Sequence, residues 1–418
     1  MGHLVGKDIY RKLGKKIDNL TMRVPWTESF YDILKELYTT EEAELIIKMP
    51  YGLSTIEQIE RVTGYERSKL KKILDSLCVK GLVIDVWTGK DYRYVISPLI
   101  IGIFEFTMMR TGESLNMKEW AKLFSDYLSD ENTFYRANFK NNQKVMPLRT
   151  LPHEEAIDAD QYLEVLDYEK ATAIIENAKK FAIGICSCRH EKQHLGKKKC
   201  EAPLEVCSTF DVATDYMIRH EFARDSSKSE MLENVARSKE MGLVLCADNV
   251  KKNVSFICHC CKCCCNTLAG ISKFGYPNAV VTSSFIATND YDTCAECGTC
   301  ADVCPVEAIT IKPDGKPEID TRFCIGCGVC GLKCTTESIK LVKRQQRVLH
   351  PEDTFEKAIL QSLERGTLQN LLFNNPQSVT HTFMRGFVGA FLKLPPVKKS
   401  LMSDTLRSRF LEFMKQGG

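Results

Sequence analysis

A multidomain chain of the α+β class is predicted from three features of the sequence. Its 418 residues exceed what one hydrophobic core commonly organises, so two to four domains are expected. The first third mixes apolar residues at helical spacing with two short β-rich runs, so helices and strands share one chain. Most of the twenty cysteines are gathered into tight groups in the second half, as small metal-binding modules require.

Composition narrows the class further. The hydrophobic fraction of 44% is that of a globular protein, and no run of about 18 apolar residues is present to span a bilayer. The first residues, MGHLVGKDIYRKLGKK, lack the apolar centre and small-residue cleavage site of a secretory signal. The expected location is the cytoplasm. In that reducing compartment, cysteines one to three residues apart point to metal rather than disulfides.

Residues 1–100 are expected to form a winged-helix-like domain. Leu34, Leu37 and Tyr38 repeat at helical spacing, and Thr40 with Glu41 and Glu42 makes a helix start, with a capping hydroxyl and early carboxylates at the positive end of the dipole. Ile56, Ile59 and Val62 form another apolar face. After the turn at Gly64, Leu70, Ile73, Leu74 and Leu77 continue the period over Ser68–Lys80, which Gly81 ends. Leu82–Val86 and Tyr92–Ile96, joined through Thr88 and Gly89, read as a hairpin. Helix, turn, helix, hairpin is the order of a winged helix, for which DNA binding is one use. Residues 31–100 carry ten Lys or Arg against eleven Asp or Glu, however, and so lack the excess of positive charge that a duplex attracts. Docking or a structural role is preferred, with Lys69, Lys71 and Lys72 the residues DNA would use. Cys78, alone on an apolar helix face, reads as core.

Residues 101–180 are expected to be helical. Phe104, Phe106 and Met108 lie in an apolar run, Trp120, Phe124 and Tyr127 recur at helical spacing, and Tyr168–Lys180 reads as a helix. Asn141–Pro152, polar with two prolines, reads as a loop.

Residues 181–289 read as a cysteine-rich metal domain. FAIGICSCRHEKQHLGKKKCEAPLEVC supplies Cys186, Cys188, Cys200 and Cys207, and FICHCCKCCCN supplies Cys258, Cys260, Cys261, Cys263, Cys264 and Cys265. Six thiols in eight residues would be an oxidation hazard if left without metal. Zinc and a 4Fe-4S cluster both accept four thiolates. At least one further 4Fe-4S cluster, with ligands from both groups, is preferred because the chain carries other cysteines of iron–sulfur spacing. Zinc is the alternative, and ten candidates leave room for a second or unusual centre. His259 reads either as a ligand or as a neighbour that orients one. Cys246 reads as structural. The stretch Arg189–Lys199, rich in Lys and Arg, reads as a solvated loop, with a landing patch for an acidic partner or an anionic substrate group as the alternative.

The other cysteines lie in CAECGTCADVCP and CIGCGVCGLKCT, each a C-x2-C-x2-C-x3-C run. That is the spacing of a protein holding two 4Fe-4S clusters: three thiolates on a tight loop reach one cubane, and the fourth, carried off on a helix, reaches the other. Residues 290–342 resemble a bacterial two-cluster ferredoxin. The resemblance implies that Cys294, Cys297, Cys300 and Cys334 bind one cluster and Cys324, Cys327, Cys330 and Cys304 the other. It also implies that Gly298, Gly326 and Gly328 let backbone N–H groups reach cluster sulfurs. Pro305 follows Cys304 as in that family, whereas Thr335 stands where the family has proline. Residues Ala308–Ile311 and Glu318–Asp320 suit the short strands between the runs. More widely, residues 20–345 resemble a family of larger dicluster ferredoxin proteins of anaerobes. In that family a winged-helix-like start precedes a C-x-C-R motif, a CxCCxCCC segment and the dicluster module.

Residues 343–418 are expected to be a basic helical tail; from 341 onward there are twelve Lys or Arg against six Asp or Glu. Phe383, Phe387 and Phe391, and likewise Leu406, Phe410 and Met414, fall on single helix faces either side of Pro395-Pro396. Packing on the protein's own body is the expected use. Docking a redox enzyme or an anionic membrane face is the alternative.

The function these residues imply is single-electron relay between a low-potential donor and a partner oxidoreductase. No nucleotide fingerprint, flavin motif or nucleophile elbow accompanies the cysteines, so a redox partner protein, in a homo- or hetero-oligomer, would hold the catalytic cofactor. Two other readings are a reductase with an unusual cluster in the central segment, and a redox-sensing regulator whose clusters control the winged helix.

Overall fold

A computed structural model describes residues 2–139, 145–345, 348 and 350–416. The described chain mixes helices with four small sheets and divides into two compact units. One comprises the chain up to Thr107, Lys122–Asn138 and the segment from Thr354 onward; the other comprises Met108–Ala121 and Phe139–Asp353.

In the first unit, helices Glu28–Leu37, Thr40–Lys48, Ile56–Thr63 and Arg67–Val79 precede a hairpin. Strand β1 (Ser54–Thr55) lies before the third of these helices, and β2 (Val83–Trp87) and β3 (Tyr92–Ile96) form an antiparallel sheet with it in the order β1-β3-β2. The helix starts follow from local chemistry, although the cap of the second helix is Thr39, one residue before the Thr40 expected to supply the hydroxyl. The Thr39 hydroxyl accepts from the Glu42 amide while the Glu42 carboxylate accepts from the Thr39 amide at 2.9 Å, a capping box. The rest of that buried carboxylate accepts from Lys80 Nζ at 2.8 Å and Ser76 Oγ at 3.0 Å, so every Glu42 oxygen is satisfied. Cys78 is buried in this core, as expected of a lone thiol on an apolar face. Phe104, Phe124, Tyr127 and Phe134 pack ring on ring in the same unit.

Five helices from Thr354 to Gln416 complete this unit around Ile359, Leu363, Leu368, Leu392, Leu411 and Met414. Here the structure departs from the expected packing of the tail. On the helix Val379–Leu392 the stripe Val379, Phe383, Phe387 and Phe391 faces solvent, with Phe383 71% and Phe387 68% exposed. The helix buries Gly389 and Leu392 instead, because Gly389 lets the backbone close on Gln369. Phe410 and Met414 do pack inward, while the side chain of Leu406 lies outside the described residues.

The second unit is built on a six-stranded antiparallel sheet. Its strands are β4 (Leu148–Leu151), β5 (Phe181–Ile185), β6 (Glu205–Phe210), β7 (Ala223–Ser226), β8 (Val244–Asp248) and β9 (Phe256–Cys260), in the order β4-β8-β9-β6-β5-β7. Strand β4 falls where the sequence reads as a loop. Its central residues, Arg149 and Thr150, are polar, yet all four residues are buried and Arg149 Nε donates to the Asp248 carbonyl at 3.1 Å. The Arg149 guanidinium also lies 5.5 Å from the centre of the Tyr168 ring, so polarity in this strand does not mean exposure. Residues 141–144 lie outside the described residues. The helix expected over Tyr168–Lys180 covers only Ala171–Asn177.

One face of the sheet carries the core, with Phe181, Ile183, Phe210, Leu245, Ala247 and Ile257 packed on Ile174, Ile175 and Met231 of helices Ala171–Asn177 and Lys228–Glu240. Strand side chains alternate in direction, so Cys207, Cys246, Cys258 and Cys260 all project from the opposite face.

His350 ties the end of this unit to it. Its Nδ1 lies 2.8 Å from Asn249 Oδ1, and its buried Nε2 has no hydrogen-bond partner among the described residues. Burial, with Arg149 and Lys251 nearby, lowers its pKa to about 3. The folded unit therefore holds this ring neutral, while the unfolded chain takes up a proton below about pH 6.5. Stability present at neutral pH is lost as pH falls from 6.5 toward 3, by about 2 kcal/mol at pH 5. Unfolding free energies at pH 7.5 and 5 are expected to differ by less in His350→Gln than in the unsubstituted chain, the gap between the two being about 2 kcal/mol. An unchanged difference in the variant would remove His350 from the account.

Candidate metal centres

The eight cysteines of the two C-terminal runs are framed by two small antiparallel pairs. Strand β10 (Phe285–Asn289) pairs with β13 (Ile339–Lys343), and β11 (Ile309–Ile311) with β12 (Pro317–Ile319), which are the strands expected between the runs. The short helices Thr299–Val303 and Val329–Leu332 carry the last cysteine of each run away from the first three. As a result Cys304, Cys324, Cys327 and Cys330 surround one cavity with Val306, Ile309, Ile325 and Leu341. Cys294, Cys297, Cys300 and Cys334 surround a second with Asn289, Glu296, Gly298, Thr299 and Ser338. Each set offers four sulfurs, and apart from Glu296 at the second cavity the linings hold no carboxylate, a donor set that fits an iron–sulfur cluster.

The two cavities differ in wetness. All four cysteines of the first are buried, and burial raises the pKa of Cys330 and Cys327. Around the second, Cys297 is exposed and the other three half-buried. Hydroxyls approach its sulfurs: Thr299 Oγ1 lies 3.4 Å from Cys297 Sγ, and Ser338 Oγ 3.2 Å from Cys334 Sγ. Partial burial pushes the Cys334 thiol up, but hydrogen bonds from Ser338, the Ile339 amide and Thr336 outweigh it and lower the pKa to about 7.

A family model described as a 4Fe-4S dicluster domain matches residues 286–335. This stretch is an iron–sulfur module of the ferredoxin type. The match starts inside β10 and ends one residue past Cys334, so it takes in both cysteine runs. No curated protein and no solved structure matches the chain.

Upstream of the module, the ten central cysteines fall into two sets. Cys200, Cys261, Cys263 and Cys264 come together with every sulfur within 4.8 Å of every other. Cys261 Sγ is 3.5 Å from Cys200 Sγ and 3.9 Å from Cys263 Sγ, which is 3.3 Å from Cys264 Sγ. The other six are strung along the sheet face. Cys188 touches Cys265, Cys265 touches Cys260, and Cys207 touches Cys258, with Cys186 beside Cys207 and Cys188. Among the described residues these six form no group as tight as the first. Cys246, read as purely structural, is directly opposite Cys258 on β8 and in contact with the Cys260 thiol, so it borders this second set. Only the strand pairing brings it there.

His259 is not a ligand in this arrangement. It points to the core side of β9, where Nδ1 lies 2.6 Å from Ser238 Oγ and Nε2 3.0 Å from Ser208 Oγ, so both ring nitrogens are engaged. Arg189–Lys199 also differs from the solvated loop expected. Ser187–His194 is a helix, and Arg189 and Glu191 are wholly buried. Arg189 donates to the Pro203 carbonyl at 2.5 Å and the His259 carbonyl at 2.6 Å, and its guanidinium lies against Cys261. The C-x-C-R pattern thus places a fixed positive charge among thiols, something spacing alone did not reveal.

The central block and the dicluster module meet within the second unit. The His153 amide donates to the Cys327 carbonyl at 2.9 Å, and its Nε2 lies 2.8 Å from the carbonyl of Leu243, which packs on Cys261 and Cys264. Lys262 reaches the Asp302 carbonyl at 3.3 Å and Glu307 at 3.5 Å.

Proposed function

We propose that this protein relays single electrons between a low-potential donor and a partner oxidoreductase, using two 4Fe-4S clusters in the dicluster module and a further one on the six-thiol face of the central sheet. The observation that carries this reading is the sorting of the eight module cysteines into two four-sulfur cavities, one half-exposed and one buried, with the buried one facing the central block. In this reading Cys294, Cys297, Cys300 and Cys334 hold the cluster that meets solvent and the external donor. Cys304, Cys324, Cys327 and Cys330 hold the inner one. Hydroxyl contacts and solvent stabilise the more negative reduced state, so the outer cluster has the higher potential. Cys186, Cys188, Cys207, Cys258, Cys260 and Cys265 offer more sulfurs than one cubane needs, and four of them would hold the third cluster.

The N-terminal helices and hairpin, arranged as in a winged helix, serve docking rather than DNA: Lys69 of the would-be reading helix is paired with Glu41 at 2.6 Å. The exposed stripe Val379, Phe383, Phe387 and Phe391 is the face for the partner oxidoreductase. The same stretch of sequence carries Arg385, Lys393, Lys398 and Lys399, and no acid lies between 375 and 403.

Iron and sulfide analysis of anaerobically purified protein, followed by reductive titration, tests the reading. About twelve irons per chain are expected, eight in the module and four in the central block, all reducible by a low-potential donor. About eight irons would remove the third cluster, and clusters that take up no electrons would overturn the relay. Flotation of the same protein with anionic vesicles would move the exposed stripe from a protein partner to a membrane.

A further inference from the structure

We infer that Cys200, Cys261, Cys263 and Cys264 form a mononuclear zinc site, separate from every iron–sulfur centre in the chain. The distances decide its nuclearity. Four thiolates at about 2.3 Å from one tetrahedral zinc stand about 3.8 Å from each other, and the separations here are 3.5, 3.9 and 3.3 Å, with all pairs inside 4.8 Å. A cubane holds its thiolates further apart, because four irons and four sulfides lie between them. The two module cavities have that larger form: among the described residues, neither set of four cysteines closes to the same mutual distance.

The connectivity fits a structural site. Cys261 and Cys264 are a C-x2-C knuckle in the turn after β9, Cys263 lies between them, and Cys200 arrives from 61 residues earlier. Four ligands close the tetrahedron, and Cys261 and Cys264 are buried with Ala202 and Leu243, so no open position is left for a substrate. Of the divalent metals this geometry accepts, zinc binds thiolates more tightly than ferrous iron does.

Charge supports the same assignment. Binding releases four thiol protons and leaves a complex of net charge about −2. Arg189 is wholly buried among Cys186, Cys261 and Cys200, two of which belong to this set, its Pro203 and His259 acceptors are neutral carbonyls, and among the described residues no carboxylate pairs with it. A buried guanidinium of this kind needs an anion beside it, and a tetrathiolate supplies one. Lys198 Nζ, on the Cys200 carbonyl at 2.5 Å, adds a second cation. The site would pin the stretch Leu195–Leu204 to the turn after β9 without itself carrying electrons.

The test is metal analysis of the full chain purified anaerobically from medium holding both iron and zinc. About one zinc per chain is expected. Cys200→Ser and Cys263→Ser should lose it with iron unchanged, while Cys207→Ser, in the six-thiol set, should keep it. Protein from cobalt-supplemented cells should show the visible bands of cobalt in a tetrathiolate, a readout on the unsubstituted chain that stands even where a variant fails to fold. Absence of zinc together with absence of the cobalt bands would overturn the assignment. So would the loss of about four irons in Cys200→Ser, the mark of a cubane. Because iron content is read separately, failure of the relay and failure of the zinc site give different results.

Discussion

Cys304→Ala is expected to lower the iron content by about four per chain and to remove the inner cluster, not the outer one, although Cys304 belongs to the first cysteine run. The reason is geometric: Cys304 lines the cavity of Cys324, Cys327 and Cys330, while Cys294, Cys297 and Cys300 close around Cys334. Cys334→Ala should do the reverse. Paramagnetic resonance of the reduced protein separates the two, because each variant leaves one module cluster whose signal is free of the magnetic coupling between the two module clusters. The surviving cluster in Cys304→Ala should also be the one more open to solvent-borne oxidants, since Cys297 is the exposed cysteine of its set. Two variants that lose the same cluster would contradict the crossed pairing.

Gly326→Ala is expected to be among the most damaging substitutions in the second unit. Gly326 has φ +67, and a β-carbon there would run into the Phe285 carbonyl oxygen and Ser283 Oγ. Both are held in place: Ser283 Oγ donates to the Gly326 carbonyl at 2.7 Å, and Phe285 opens strand β10. Left-handed strain and a backbone clash together should cost about 3–5 kcal/mol and leave the loop of Cys324 and Cys327 out of place for its cluster. Gly298→Ala in the other run is the control. Its φ is +76, but the nearest atom, Ile311 Cγ1, is 4.0 Å away, so only the strain of about 1 kcal/mol remains. Denaturant midpoints and iron content measure both. Equal losses in the two variants would show that the clash does not govern.

Much of the module was legible because its ligands are local. In each run three cysteines lie within seven residues, and loop geometry confines them whatever surrounds it. The helices about Thr39 and Arg67 were legible for a similar reason, since a cap and a 3.6-residue period are written in neighbouring residues. The central block resisted the same reading. Six thiols in eight residues announce metal, but which of them share a centre depends on the strand alternation that sends Cys258 and Cys260 to one face of β9 and His259 to the other. It depends also on the turn that draws Cys261, Cys263 and Cys264 toward Cys200.

The iron–sulfur character of residues 286–335, the α+β mixture and the capped N-terminal helices could all be read from the chain itself, because each rests on interactions a few residues long. That one of the two four-cysteine sets of the module is buried and the other half-exposed could not. The same holds for the separation of the ten central thiols into a tight tetrad and a spread six, the burial of Arg189 against Cys261, and the turning of the Phe383 stripe to solvent. These rest on contacts between residues far apart in the chain, where strand pairing and helix packing set the distances and local spacing does not.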